Sequence, residues 1–142
     1  MILLDVNILV TAHREDADHH RAMKAWLESA LGEPAGVAVS ELTLSGCLRV
    51  ITHRNIFKKP TPLSAALEFV EDFRAREEVH LLSPGPGHWN IFMDLCRRGD
   101  ARGNLVPDAF HAALAIELGC EWLTLDRGFA RFPGLKWRHP LD

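Results

Sequence analysis

Met1-Ile2-Leu3-Leu4-Asp5-Val6-Asn7-Ile8-Leu9-Val10 opens the chain and decides how the rest is read. An aliphatic run leads into one acid, an amide follows two residues on, and a second aliphatic run closes. The residues around Asp5 are aliphatic or that amide, so its carboxylate is costly to desolvate unless something compensates it. One reading is a strand-end acid capping the next turn. The other is a metal ligand at the mouth of a sheet. The remaining acids bear on the choice.

Working outward, Ile2–Leu4 reads as a short buried strand. Asp16 or Asp18 can cap a helix running to about Leu31, with Ala22, Met23, Trp26, Leu27, Ala30 and Leu31 as its core face and Gly32 as its stop. Val37–Val39 is a second strand. Ser40 caps a helix opened by Glu41, with Leu44, Cys47, Leu48 and Ile51 inward. Thr61-Pro62 reads as N-cap and first-turn proline of a helix carrying Leu63, Ala66, Leu67, Val70 and Phe73. Val79–Leu82 is a third strand. A helix from about His88 to Arg98 buries Trp89, Phe92, Leu95 and Cys96. Pro107 starts a helix to Leu118 that is apolar nearly all round, hence central and buried. Trp122–Leu125 is a fourth strand, Arg127–Pro133 a turn, and Leu135–His139 a last edge strand. Strands alternate with helices, so the expected fold is an α/β domain, a three-layer α/β/α arrangement around a mostly parallel sheet.

Composition sets outer bounds. The 142 residues are 47% hydrophobic and 25% charged with a net charge of −3, ordinary for a folded domain and not the footprint of a bulk nucleic-acid coat. A single domain over 1–142 is expected, without repeats or linkers. Cys47, Cys96 and Cys120 are widely spaced among apolar residues, which suits free thiols in a reducing, cytoplasmic setting. The opening apolar run is too short to span a bilayer and lacks a basic leader, so no membrane segment is expected.

Four acids do not belong to solvated faces. Asp5 follows Leu3-Leu4, Glu41 lies just past Val37–Val39, Asp126 follows Trp122–Leu125, and Asp108 opens the most apolar helix. In an open parallel sheet, ligands bind at the carboxyl ends of strands. Carboxylates gathered there repel one another, and a hard divalent cation resolves the repulsion. No Cys or His accompanies the acids at zinc spacing. An all-oxygen site suits phosphoryl chemistry, in which a phosphate is polarised and water activated. Each acid keeps a capping alternative on this evidence.

Asp5-Val6-Asn7, Ser40-Glu41, Gly103-Asn104-Leu105-Val106-Pro107-Asp108-Ala109 and Thr124-Leu125-Asp126-Arg127-Gly128-Phe129 resemble, in that order, the motifs of PIN-domain ribonucleases. Within these the chain is similar to VapC toxins of bacterial toxin–antitoxin pairs, in their mycobacterial-type branch. The resemblance implies a PIN-like fold and a Mg²⁺- or Mn²⁺-dependent endoribonuclease acting on structured RNA such as tRNA or rRNA. It implies Asp5, Glu41, Asp108 and Asp126 as catalytic metal ligands, with Asn7, Asn104 and Thr124 as supporting polar groups. It also implies a homodimer and a cognate VapB-type antitoxin. Two positions depart from the pattern. Gly128 stands where relatives often carry a further acid, and Phe110-His111 replaces a His-Leu pair.

Three readings follow: the toxin nuclease, a housekeeping PIN nuclease in RNA maturation, and a degenerate, non-catalytic RNA- or antitoxin-binding domain. Arg49, Arg54, Lys58 and Lys59, with His53, form the densest basic stretch, and Arg127 lies in a second one with Arg131, Lys136 and Arg138. Each suits phosphate contact and equally a solvated surface. His111, three residues after Asp108, reads either as a core histidine or as a group touching substrate. His19-His20 reads as solvent-facing, and Trp26 and Trp89 as core.

Overall fold

The computed structural model describes residues 1–142. Five strands, β1 (Ile2–Leu4), β2 (Val37–Val39), β3 (Val79–Leu81), β4 (Glu121–Leu123) and β5 (Trp137–Arg138), form one sheet in the order β3-β2-β1-β4-β5. Every pairing is parallel, so the sheet is wholly rather than mostly parallel. Parallel strands need crossovers, and six helices supply them: α1 (Val6–His13), α2 (His20–Gly32), α3 (Glu41–Ile51), α4 (Leu63–Arg74), α5 (His88–Arg98) and α6 (Leu105–Leu118).

Alternation along the strands builds two cores. Leu4, Val37, Val39 and Leu123 point into one with α1 to α4, while Leu3, Ala38 and Trp122 point into the other with α5 and α6. Leu3 and Leu4 are both fully buried, each contributing roughly 1.5–3 kcal/mol. The three layers thus follow from strands that are apolar on both faces. Helix α6 earns its central place because Ala109 and Ala112–Ala115 let it lie close against its neighbours. No helix is long and apolar enough to cross a membrane. The three cysteines are free thiols; Cys47 and Cys120 are buried and Cys96 half-buried.

Several local expectations are corrected. Neither Asp16 nor Asp18 caps α2. Asp16 is held by Arg14 at 2.7 and 2.8 Å, and the helix starts after His19, which adopts a left-handed φ of 61°. Ala22 is exposed and Trp26 and Ala30 half-buried, leaving Met23, Leu27 and Leu31 as the core stripe. Pro62 occupies the N-cap of α4, because Thr61 is engaged instead with Arg14 and His13. Leu63 and Leu67 are exposed, and Leu48 is only half-buried. In α5 the core stripe is His88, Phe92 and Leu95; Trp89 lies one residue out of phase and is 61% exposed. Helix α6 begins at Leu105, two residues before Pro107. A proline there still lies in the first turn, where no amide donor is required.

Strand β3 ends at Leu81 and β4 at Leu123, and β5 covers only Trp137–Arg138. Beyond β4 the backbone leaves the ladder because the Leu125 amide donates to Asn7 Oδ1 at 3.1 Å. The turn after it contains a short 3-10 helix, Arg127–Arg131.

Candidate active site

The strand order places the site. The chain runs outward from β1 to β2 and β3, then returns to the other side of β1 for β4 and β5. The carboxyl ends of β1 and β4 flank that reversal, the position where open α/β sheets form a crevice. A cleft of about 760 Å³ opens there, lined by Asp5, Asn7, Asn104, Asp108, His111 and Asp126 among others.

Asp5 follows β1 directly and is only 7% exposed. Its Oδ1 accepts from the Val6 amide at 2.6 Å, so it caps α1. Its Oδ2 accepts from the Thr124 hydroxyl at 2.6 Å and from Asn7 Nδ2 at 3.1 Å. Capping and cleft-lining are therefore not alternatives for this residue. Thr124, fully buried, spends its one proton on Asp5 and accepts from Asn7 Nδ2 at 3.2 Å and the Asp126 amide at 3.0 Å. With Asn7 Oδ1 accepting from Leu125, this network fastens the end of β1 to the end of β4.

Asp126 caps the 3-10 helix, its Oδ1 accepting from the Gly128 amide at 2.8 Å. A Cβ on Gly128 would stand 2.9 Å from that oxygen, so the glycine permits the tight hold. Asp108 is half-buried in the first turn of α6, where the helix dipole favours an acid. Asn104 takes the N-cap position of α6 but makes no capping bond, leaving its amide facing the cleft.

The electrostatics show stress. Burial raises the Asp5 carboxyl to about 6; the bonds from Thr124 and Val6 oppose this, and the charges of Asp108 and Asp126 add to it. Burial also raises Asp108, with Asp126 adding and Arg131 opposing. None of the three acids has an ion-pair partner.

Hard oxygen donors in this state fit a divalent cation. A carboxylate offers roughly four acceptor sites, and Asp5 has filled three. The second oxygen of Asp126 and both oxygens of Asp108 are uncommitted. No three His, Cys, Asp or Glu side chains stand close enough together to hold a metal ion by themselves. Mg²⁺ and Mn²⁺ keep waters and use one or two carboxylates together with substrate phosphate, so the free oxygens of Asp108 and Asp126 are the ones such an ion could take.

The other expected site residues lie apart. Glu41 begins α3 but is exposed outside the cleft, 3.4 Å from Arg74. The α3 face that does line the cleft is Leu42, Ser45, Gly46 and Arg49. Counting back from Arg49 by helical steps of three, four and seven would have found it. Arg49 is the one basic residue of the earlier basic stretch on the cleft wall. Arg54, Lys58 and Lys59 lie exposed beyond the end of α3, outside it. Arg127 is engaged with Asp142 at 2.7 and 2.9 Å. Arg131, which acts on Asp108, was visible in the sequence only as part of a basic turn.

His111 is buried and lines the cleft, its ring stacked on Trp122 with centroids 5.2 Å apart. Burial holds its imidazole down at about 4. His20 is not a free surface group, since its Nδ1 donates to the Thr11 carbonyl at 2.8 Å.

This parallel sheet with acids gathered at its reversal point defines a PIN domain, and the sequence pattern of that domain matches residues 2–135. Ribonuclease VapC43 of Mycobacterium tuberculosis is 41% identical over 142 residues, covering 100% of this chain and 97% of the relative. The chain belongs to the VapC ribonuclease family. Among solved structures, VapBC2 of Rickettsia felis bound to a promoter DNA fragment superposes with a TM-score of 0.70 at 21% identity, covering 97% of this chain and 98% of that one. Mycobacterium tuberculosis VapC20, described as a sarcin–ricin loop cleaving toxin, gives 0.67 at 16% identity, covering 96% and 99%.

Proposed function

We propose that this chain is a Mg²⁺- or Mn²⁺-dependent endoribonuclease, the toxin of a VapBC-type pair, that cuts structured RNA and so inhibits translation. The observation that carries the reading is the convergence of Asp5, Asp108 and Asp126 on one cleft with no ion-pair partner to any of them. The naming of VapC20 as a sarcin–ricin loop cleaving toxin supports structured RNA as the substrate class.

Asp5, Asp108 and Asp126 would hold the cation. Bound there, it would supply charge for a phosphodiester and lower the pKa of a water. The chain's own contribution is arrangement. Thr124 and Asn7 fix the Asp5 carboxylate, so little reorganisation is required when RNA arrives. Arg49 brings positive charge to the α3 wall, suited to a backbone phosphate. Asn104 offers an amide at the rim, able to donate to phosphate or accept from a 2′-hydroxyl. Arg54, Lys58 and Lys59 serve at most as outer contacts on a longer RNA. Glu41 lies one helical turn before Ser45 of the cleft wall, so a change of its exposed side chain away from Arg74 would bring it toward the metal set.

The partner is a VapB-type antitoxin, as the VapBC neighbour suggests, and the working assembly is a homodimer in the cytoplasm. Purified protein freed of antitoxin should cut total RNA at discrete sites with Mn²⁺ or Mg²⁺ and stop on EDTA addition. Absence of cutting under every divalent ion tried sinks the proposal, and equal growth arrest by wild type and Asp5→Asn favours binding without cleavage.

A further inference from the structure

Buried histidines in this fold are satisfied, with one exception. His88 donates from Nε2 to the Phe110 carbonyl at 2.9 Å. The half-buried His13 and His20 have partners in Thr61 and the Thr11 carbonyl. His111 is only 7% exposed, yet neither of its ring nitrogens has a hydrogen-bond partner. The sole polar side-chain atom fully sealed from solvent without a partner is Trp122 Nε1, so the His111 nitrogens open on the cleft. Both nitrogens are thus free to bond an occupant of the cleft.

The ring is also fixed. It stacks on fully buried Trp122 at 5.2 Å with planes 25° apart, and it stands one helical turn from Asp108 on the same face of α6. Residues so spaced have Cβ atoms about 5–6 Å apart. Whatever occupies the cleft at Asp108 therefore passes His111.

A neutral imidazole presents one donor and one acceptor. Phosphate oxygens only accept, and Arg49 already faces the cleft for them. The edge of an unstacked base both donates and accepts, which is how single-stranded RNA segments are read. Building on the ribonuclease reading above, we infer that His111 is a specificity-determining residue that hydrogen-bonds the base of a nucleotide beside the scissile phosphate. It sets which base is accepted there.

The test uses full-length protein with Mn²⁺ and an RNA hairpin carrying a randomised loop, with cleavage sites read by sequencing. Wild type should show a base preference at a position flanking the cut. His111→Leu should flatten that preference and lower kcat/KM about three- to tenfold, the worth of one hydrogen bond, chiefly through KM. His111→Gln keeps a donor and an acceptor at a new geometry. It should stay within threefold of wild type, roughly the lower bound for one bond, with a changed preference. It also serves as the readout if the leucine variant does not fold. Unchanged base preference in the variants, at whatever rate, overturns the inference and makes His111 a packing residue. Failure of wild type to cut any of the pool overturns the ribonuclease reading itself.

Discussion

Asp108 separates a functional acid from a structural one. It makes no hydrogen bond that holds the fold, and its carboxyl is pushed up by burial and by Asp126. Replacing it with Asn removes a repelling charge and one donor of the proposed cation set. RNA cleavage by Asp108→Asn should fall about a hundredfold or more, as expected when several kcal/mol of charge stabilisation is lost, while the melting temperature of metal-free protein holds or rises. A variant that unfolds more easily would assign Asp108 to structure. Thr124 gives the opposite case. Thr124→Val keeps the shape but leaves Asp5 Oδ2 without its 2.6 Å donor. Loss of a bond to a charged group costs about 1.5–3 kcal/mol. Activity should drop about tenfold to a hundredfold, as for groups that orient metal ligands, and the rise of the pH–rate profile should move to higher pH.

The elements meet at small residues. Gly46 lets α3 lie against α1, since a Cβ there would come within 2.7 Å of Val6 Cγ2. Val6 is short and branched, so α1 itself must shift, and Asp5 is its cap. Gly46→Ala should cost about 1–3 kcal/mol by overpacking and lower cleavage with it. Adding Val6→Ala restores the space, so the double variant should recover most of both losses. Equal losses in the single and double variants would show that this contact does not position Asp5. Element identity was largely legible beforehand, because capping at Ser40 and the aliphatic strands are local chemistry. Phase was less legible: Trp89 and His88 exchange roles through a single helical step.

At the scale of the molecule, the site is a strain the fold carries at its reversal point. The Asp5 carboxyl sits at about 6 in the fold against 3.8 ordinarily, so the fold favours its protonated form. Its stabilising contribution is complete below pH 3.8 and is lost as pH rises through about 6. Two pKa steps correspond to about 3 kcal/mol. Thermal unfolding in EDTA should therefore show Asp5 lowering stability between pH 4 and 7, a dependence that Asp5→Asn removes. On the proposed reading Mn²⁺ binds the ionised carboxylates, so it should stabilise more at pH 7.5 than at pH 5, both chosen roughly a pH unit or more from the shifted value. A Mn²⁺ effect that is equal at the two pH values would argue against Asp5 as a ligand.

The sequence by itself determined the layers and the kinds of chemistry available. Aliphatic runs with turn and cap residues are short-range signals, and acids set among such runs are visible without coordinates. Asp5, Glu41, Asp108 and Asp126 stood out for that reason, and Asn7, Asn104 and Thr124 did so through their motifs. Only the tertiary structure decided which groups share a cleft. Strand order put residues 119 apart in sequence within 2.6 Å, as Thr124 and Asp5 are. Side-chain placement set Glu41 against Arg74 and left Gly46 and Arg49 on the wall. The opening stretch acquired its full meaning through β4, because a buried carboxylate is defined by what surrounds it in space.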